Sequence, residues 1–194
     1  MERDPGGKAP ARPGREALSR ALVELGDRLY ALALRVTRDP DLAADAVQEA
    51  FASALERSDG FRGEAALGTW LHRIVYTKSI DLLRRRSREG QLPEALAQDL
   101  GGPDDEPLAA GGSWARPPDE ILLGTETRKA LEKAQEKLTP LQRAVFELKE
   151  VEGRATDEVA SILGMPSATV RVHLHRARLR LRAQLVDHFS RGRS

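Results

Sequence analysis

Hydrophobic residues recur every three or four positions along most of the chain, which is the spacing of amphipathic helices. Seven segments follow this pattern: residues 15–37, 41–57, 67–86, 121–138, 140–151, 156–163 and 167 onward. No segment alternates polar and apolar residues convincingly enough to predict a strand. The pattern therefore predicts an all-α fold.

Capping signals support several of these helix boundaries. Asp39-Pro40 and Thr139-Pro140 each combine an N-cap residue with proline, which is favoured in the first helical turn. Gly164 is predicted to end one helix, and Ser167 is predicted to cap the last.

Two predicted helices have a clear apolar face that we expect to be buried. The face of the helix over 140–151 consists of Leu141, Val145, Leu148 and Val151. The stripe of the last helix consists of Val170, Leu174, Ala177, Leu181 and Leu185.

Glycine and proline cluster between residues 89 and 118, which predicts a flexible linker. The linker separates a first helical domain, residues 16–88, from a second, residues 119–190, which contains the last four helices. Residues 1–15 are rich in glycine, proline and charge, and are expected to form a disordered tail. The predicted architecture is thus two small helical domains joined by a flexible linker.

Composition argues against several classes of protein. The chain has no cysteine, which excludes disulfides and thiolate metal sites. It has no apolar run of 18 residues and no apolar N-terminal signal, so we expect a cytoplasmic protein without membrane insertion. No Walker loop, HExxH motif or ordered Ser-His-Asp set is present, so we expect neither enzymatic activity nor a cofactor. His173 and His175 should point in different directions, which makes a poor metal site.

The net charge is only +1, but the charges are segregated along the chain. Arginines concentrate in residues 83–88 and from residue 171 to the C-terminus, while acidic residues dominate residues 99–120. Two basic patches separated by an acidic spacer suggest two contacts with a polyanion. The alternative is that both patches are solvated helix faces.

Residues 155–178 carry the strongest local signal. A short helix, a turn containing Gly164 and a longer basic helix make a helix-turn-helix pattern. Once the apolar stripe of the last helix faces inward, the opposite face carries Arg171, His175, Arg178 and Arg182. Such a face suits the phosphates and base edges of a DNA major groove. The alternative is a helical hairpin with a solvated arginine face.

Further short segments complete a pattern that covers about residues 18–87 and 120–185. In the second half these are LTPLQR (138–143), EG (152–153), DEVA (157–160), LG (163–164), TVR (169–171) and RAR (176–178). In the first half they are DAVQEAF (45–51), FRGE (61–64), TWLHRI (69–74) and DLLRR (81–85). Together, and in this order, they resemble the extracytoplasmic-function (ECF) sigma factors of bacterial RNA polymerase.

The resemblance implies three binding surfaces. Contact with core RNA polymerase is implied for Asp45, Gln48, Glu49, Phe51 and Leu55. Contact with the single strand of the −10 element is implied for Phe61, Arg62, Gly63, Glu64, Tyr76, Thr77, Lys78, Asp81, Arg84 and Arg85. Contact with the −35 duplex is implied for Ser167, Thr169, Arg171, Val172, His175, Arg176 and Arg178. An anti-sigma factor is a further expected partner.

Two positions depart from the family pattern. Thr77 stands where most relatives have asparagine, and its single hydroxyl cannot make a bidentate amide contact, so −10 specificity is expected to differ. Ala155 stands where a serine usually begins the first helix of the helix-turn-helix. Thr156 is expected to cap that helix instead, one residue later.

Two other interpretations compete with the sigma-factor hypothesis. A self-sufficient helix-turn-helix regulator would bind duplex DNA as a dimer, but it would carry a receiver, ligand or dimerisation domain in its N-terminal half. A protein-interaction adaptor would use both basic patches only for solubility. The dependence of nucleic-acid affinity on salt separates the adaptor from the other two hypotheses.

Overall fold

The computed structural model describes residues 15–57, 66–92, 131 and 133–191, without the side chains of residue 15 and of residues 187–191. The first half contains three helices: α1 (Arg15–Thr37), α2 (Pro40–Glu56) and α3 (Leu67–Arg88). The second half contains α4 (Pro140–Phe146), which runs into a π-helical segment (Glu147–Val151), then α5 (Thr156–Leu163) and α6 (Ser167–Arg191). Within these ranges there is no strand, and the predicted all-α fold is confirmed.

The two predicted proline caps are present. The Asp39 carboxylate accepts hydrogen bonds from the backbone amides of Asp41 and Leu42 at 2.9 and 3.1 Å, so α2 begins at Pro40. Thr139 and Gln142 form a reciprocal capping box at the start of α4. Each cap satisfies amide groups that the first helical turn leaves without an intrahelical partner.

Helices α1, α2 and α3 pack against one another in a three-helix unit. The face of α2 that enters the core carries four small residues, Ala43, Ala46, Ala50 and Ala54. Their size allows α2 to approach the larger buried residues of its neighbours, which include Leu29, Leu32, Leu71 and Leu83. Trp70 lies partly buried against the same cluster.

In the second half, the apolar stripe of α6 is buried as predicted. Val170, Leu174, Ala177 and Leu181 are inaccessible or nearly so, and Leu185 is partly buried. His173 is buried and His175 is exposed, so the two imidazoles do point in different directions. The distal part of α6 packs on a small cluster that includes Ala134 and Leu138.

Val151 corrects the predicted face of the helix over 140–151. Val145 and Leu148 are buried as expected, but Val151 is 60% exposed. The π-helical segment from Glu147 to Val151 explains this difference. Its wider turn adds a residue to the helical repeat, which rotates Val151 out of the apolar face.

Two predicted caps are also corrected. Ala155 is the N-cap of α5 and makes no side-chain cap hydrogen bond, and Thr156 is already the first helical residue. Ser167 likewise is the first residue of α6, and its hydroxyl donates to Asp157 at 2.5 Å instead of capping from outside the helix. This hydrogen bond fixes the start of α6 against the first turn of α5.

Several predicted segments lie outside the residues that the structure describes. They are the tail before residue 15, the loop 58–65, most of the linker over 89–118 and most of the helix over 121–138.

The two helical halves pack on each other. Helix α3 contacts α5, and α1 contacts α4 and the π-helical segment. A single apolar cluster includes Val36 and Val75 from the first half together with Val145, Val159 and Ile162 from the second. The described residues of the surfaces implied by the family resemblance therefore lie on helices that pack together.

Replacing Gly164 with alanine should destabilise the protein by about 1 kcal/mol. Gly164 ends α5 with φ of 68°, a left-handed conformation that costs a residue with a Cβ about 1–2 kcal/mol. An added Cβ would lie 3.6 Å from Arg73, an ordinary contact, so the cost comes from the backbone. Urea unfolding measures the change.

Gly26→Ala is the matched control for this substitution. Gly26 lies inside α1 with no atom near an added Cβ, so alanine there should stabilise the helix by about 0.5–1 kcal/mol. If both substitutions shift stability in the same direction, the left-handed turn is not what makes glycine necessary at residue 164.

Candidate nucleic-acid and polymerase interfaces

The first three turns of α6 form the surface predicted to read the −35 duplex. Arg171 and His175 are exposed, and Val172 is 48% exposed beside them. Thr169 and Arg176 are partly buried at the edges of this surface. Among the residues that the structure describes, neither Arg171 nor His175 has a hydrogen-bond or ion-pair partner. Their donors are thus available to an external ligand.

Other members of the −35 set are held by acidic residues of the protein. Arg178 Nη2 lies 2.5 Å from Glu150 Oε1 in the π-helical segment. Ser167 donates to Asp157, as described above. These two contacts orient α6 on the helices before it, whereas Arg171 and His175 project from the same helix without such restraint.

Helix α3 carries the described part of the surface predicted for the −10 strand. Thr77, Asp81, Arg84 and Arg85 are exposed, and Lys78 is partly exposed. The remaining predicted members, Phe61, Arg62, Gly63 and Glu64, lie outside the described residues.

Thr77 uses its hydroxyl locally. Its Oγ1 donates to the backbone carbonyl of Arg73 at 2.8 Å, one turn earlier in α3. Because its hydroxyl hydrogen is used in this bond, Thr77 presents to a ligand its methyl group and the lone pairs of its hydroxyl oxygen. The position therefore offers a ligand no hydrogen-bond donor in this conformation, in contrast to the amide of an asparagine.

Tyr76 was assigned to the −10 surface, but its side chain is turned largely toward the interior. It is partly buried against the main apolar cluster. Burial raises the pKa of Tyr76 to about 12, against a smaller opposing effect of the Arg84 charge. The phenol is therefore neutral at physiological pH, and its ring supports the helix that carries the exposed residues.

The surface predicted to contact polymerase lies on α2. Asp45 and Gln48 are exposed, Leu55 is 37% exposed, and Phe51 is partly buried against the core. Spacings of three residues from Asp45 to Gln48 and seven from Gln48 to Leu55 place the exposed members on one helix face.

Glu49 joins this surface to the −10 surface. Its carboxylate lies 3.2 Å from Lys78 Nζ and 3.9 Å from Arg85 Nη2, both on α3. Sequence reasoning assigned these residues to separate surfaces and missed the pairing, because no local pattern relates positions so far apart in the chain. The surfaces predicted for polymerase and for the −10 strand are therefore adjacent and share an ion-pair network.

A buried polar cluster between the two halves is a second feature that the sequence did not indicate. His72 is fully buried on α3, and its Nδ1 lies 2.7 Å from the Gly68 carbonyl. Its Nε2 lies 2.9 Å from Arg154 Nη2 and 3.3 Å from Glu152 Oε2, across the interface. Arg154 also pairs with Glu152 at 2.7 Å and with Glu158.

The cluster holds Glu152 in its ionised form. Burial raises the pKa of this carboxyl, but the hydrogen bonds and charges of His72 and Arg154 together outweigh burial and lower it. A carboxylate in this state is a strong acceptor for Arg154 beside it and for His72 across the interface.

Comparisons with known proteins find family models that match both halves of the chain. The family model for sigma-70 region 2 matches residues 22–89, and the model for sigma-70 region 4 matches residues 128–181. The ECF RNA polymerase sigma factor SigE of Mycolicibacterium smegmatis is 31% identical over 96% of this chain and 67% of its own length. SigW of Bacillus subtilis, also an ECF sigma factor, is 30% identical over 83% of this chain and 84% of its own.

The chain belongs to the ECF RNA polymerase sigma factor family. The fold agrees with a solved relative, the sigma factor RpoE of Bartonella quintana in complex with the anti-sigma factor NepR. That structure has a TM-score of 0.61 and 26% identity, and covers 88% of this chain and 97% of its own. As a member of this family, the sigma factor described here is a non-enzymatic transcription initiation factor. None of its described helices is long and apolar enough to cross a membrane.

The phenol of Tyr76 should titrate at a higher pH than that of an ordinary tyrosine. Because the folded state holds the phenolic proton more tightly, the stability linked to Tyr76 is fully present below pH ~10 and is lost as the pH rises toward the folded pKa of about 12. Ultraviolet titration of phenolate absorbance detects the step, and Tyr76→Phe should remove it. Persistence of the step in this variant would contradict its assignment to Tyr76.

Proposed function

We propose that this protein binds core RNA polymerase through the exposed face of α2 and directs the enzyme to promoters with matching −10 and −35 elements. The first half captures the melted −10 strand, and α6 reads the −35 duplex in the major groove. The protein itself supplies binding energy and strand capture, while polymerase forms the phosphodiester bonds. We place this activity in the bacterial cytoplasm.

The observation that best supports this proposal is the position of Arg171. It projects from the second turn of a recognition helix whose opposite face is buried, and no residue of the described structure neutralises it. A helix-turn-helix places its base-reading side chains in these first turns. An anti-sigma factor is a further proposed partner, since the Bartonella relative was solved with one.

The test is transcription in vitro by core polymerase on a library of promoter fragments, with and without this protein. Transcripts that start at defined sites only when the protein is present would support the proposal. The absence of any such transcript from a library of sufficient diversity would overturn it.

The double variant Gln48→Ala with Glu49→Gln should weaken binding to core polymerase. Both residues lie on the exposed side of α2, where they can exchange hydrogen bonds with a basic partner. A cationic residue at position 49 would repel the neighbouring Lys78 and Arg85. Glutamine removes the negative charge without adding this repulsion. Loss of that partly exposed pairing should change stability by no more than about 1 kcal/mol. Pull-down of core enzyme measures the effect.

Asp27→Asn is the control, since it removes an acidic charge from an exposed position on α1, outside the α2 face. It should leave core binding unchanged. Equal binding by the double variant and the wild type would mean that this face of α2 does not meet polymerase.

Arg171→Ala should lower transcription from the cognate promoter and relax its sequence preference at one or two −35 positions. Arginine can donate to the O6 and N7 of guanine together, a contact worth about 1–3 kcal/mol of discrimination. Promoters with scrambled −35 elements should be affected far less. In vitro transcription across a −35 mutant series measures both effects.

Arg182→Ala makes the same charge change three turns further along α6, at another exposed position. It should weaken all promoters alike or not at all, and lower the salt slope of binding by at most about one. A uniform loss with Arg171→Ala would reassign Arg171 to a phosphate contact, and no loss would remove this helix face from the DNA interface.

A further inference from the structure

Helix α6 directs an apolar side chain, Val172, away from the core of the protein. Val170 and Leu174, two residues before and after it, are both buried. Because an α-helix turns by about 100° per residue, a separation of two residues places Val172 almost opposite the buried stripe. Its side chain is accordingly 48% exposed, near the middle of the outward side of α6.

A second small apolar residue lies on the same side of the helix. Ala168 is exposed and precedes Val172 by four residues, so the two side chains are neighbours on the helix surface. This apolar strip is bordered by Arg171 and His175, whose donors have no partner among the described residues. The side of α6 that we propose to face DNA thus combines an aliphatic centre with hydrogen-bond donors beside it.

Folding alone gives no reason for a valine at position 172. Almost half of the residue is exposed, and a β-branched residue has a lower helix propensity than alanine or the long polar residues. A single exposed valine is ordinary on a protein surface. Val172, however, occupies the second turn of a recognition helix, which is the part that enters the major groove.

The major groove offers this side chain one kind of apolar partner. Base pairs present hydrogen-bond donors and acceptors there, and thymine adds a methyl group on C5. A donor or acceptor that faced Val172 would lose water without gaining a hydrogen-bond partner. Contact with a thymine methyl group buries apolar surface on both molecules without this loss.

We propose that Val172 is a specificity-determining residue for the −35 element, which selects a thymine through contact with its C5-methyl group. This inference rests on the proposed function. Arg171 and Val172 are adjacent, with Cα atoms about 3.8 Å apart, and successive base pairs are about 3.4 Å apart. The thymine therefore lies within about two base pairs of the guanine that Arg171 is proposed to read, on either strand.

The test removes the methyl group from the DNA and keeps the hydrogen-bonding atoms of the base. Deoxyuridine replaces thymidine, one position at a time, in the −35 element of a promoter that the full-length protein transcribes with core polymerase. Competition binding measures the affinity of the assembled enzyme for each promoter. The wild type should lose about threefold to fivefold in affinity at one thymine, the equivalent of one buried methyl group.

Val172→Ala should no longer distinguish thymine from uracil at that position. On the uracil promoter it should match the wild type within about twofold, because the methyl contact is then absent from both complexes. This comparison separates a lost contact from a misfolded variant, which would bind every promoter less well.

Val186→Ala is the matched control. Val186 is an exposed valine on the same side of α6, about 21 Å further along the helix. The same substitution there should leave the response to uracil as it is in the wild type.

Three results would overturn the role of Val172. They are a wild type that is insensitive to uracil at every position near the guanine, an equal loss with Val172→Ala, and a −35 element without thymine in that interval. If scrambling the whole −35 element leaves wild-type binding unchanged, the proposed reading of this element by α6 fails first, and the role of Val172 fails with it.

Discussion

Charge buried between the two helical halves is the constraint on which their arrangement depends. His72 has no exposed surface, and Glu152 and Arg154 close over it from the second half. Removing one member of such a group would leave the others buried without compensation, at a cost of about 3–5 kcal/mol. The halves therefore fit together only in an alignment that preserves all of these contacts.

The two buried carboxylates of the interface respond to closure in opposite ways. Hydrogen bonds and charges from His72 and Arg154 keep the pKa of Glu152 low, so this group favours closure above its ordinary titration range and loses that contribution as the pH falls. Burial raises the pKa of Glu147 in spite of Arg35, so its ionised form opposes closure at neutral pH. The interface thus contains a stabilising and a destabilising charge, and its net strength is smaller than the number of its contacts suggests.

Local features of the structure could be predicted from the sequence because their causes are local. Asp39 and Thr139 cap helices through atoms two or three residues away, and the stripe from Val170 to Leu185 depends only on helical periodicity. Val151 was placed wrongly because a π-helical turn changes the periodicity without a distinctive sequence signal.

The features that could not be predicted depend on residues far apart in the chain. Glu49 meets Lys78, and His72 meets Arg154, only after the helices have packed. The site residues were assigned from short motifs, and each motif concerns only one surface. No single motif indicates that the predicted polymerase and −10 surfaces adjoin, or that the two halves contact each other.

The cations on the proposed DNA surfaces are divided between those paired within the molecule and those open to external partners. Glu49 holds Lys78 and Arg85, and Glu150 holds Arg178, so much of the positive charge on the proposed DNA surfaces is compensated within the molecule. A phosphate must compete with these carboxylates, which lowers non-specific attraction to DNA. Arg171 faces no such competitor among the described residues. Under the proposed function, pairing part of these cations with carboxylates gives up general affinity for DNA, and binding then depends more strongly on sequence.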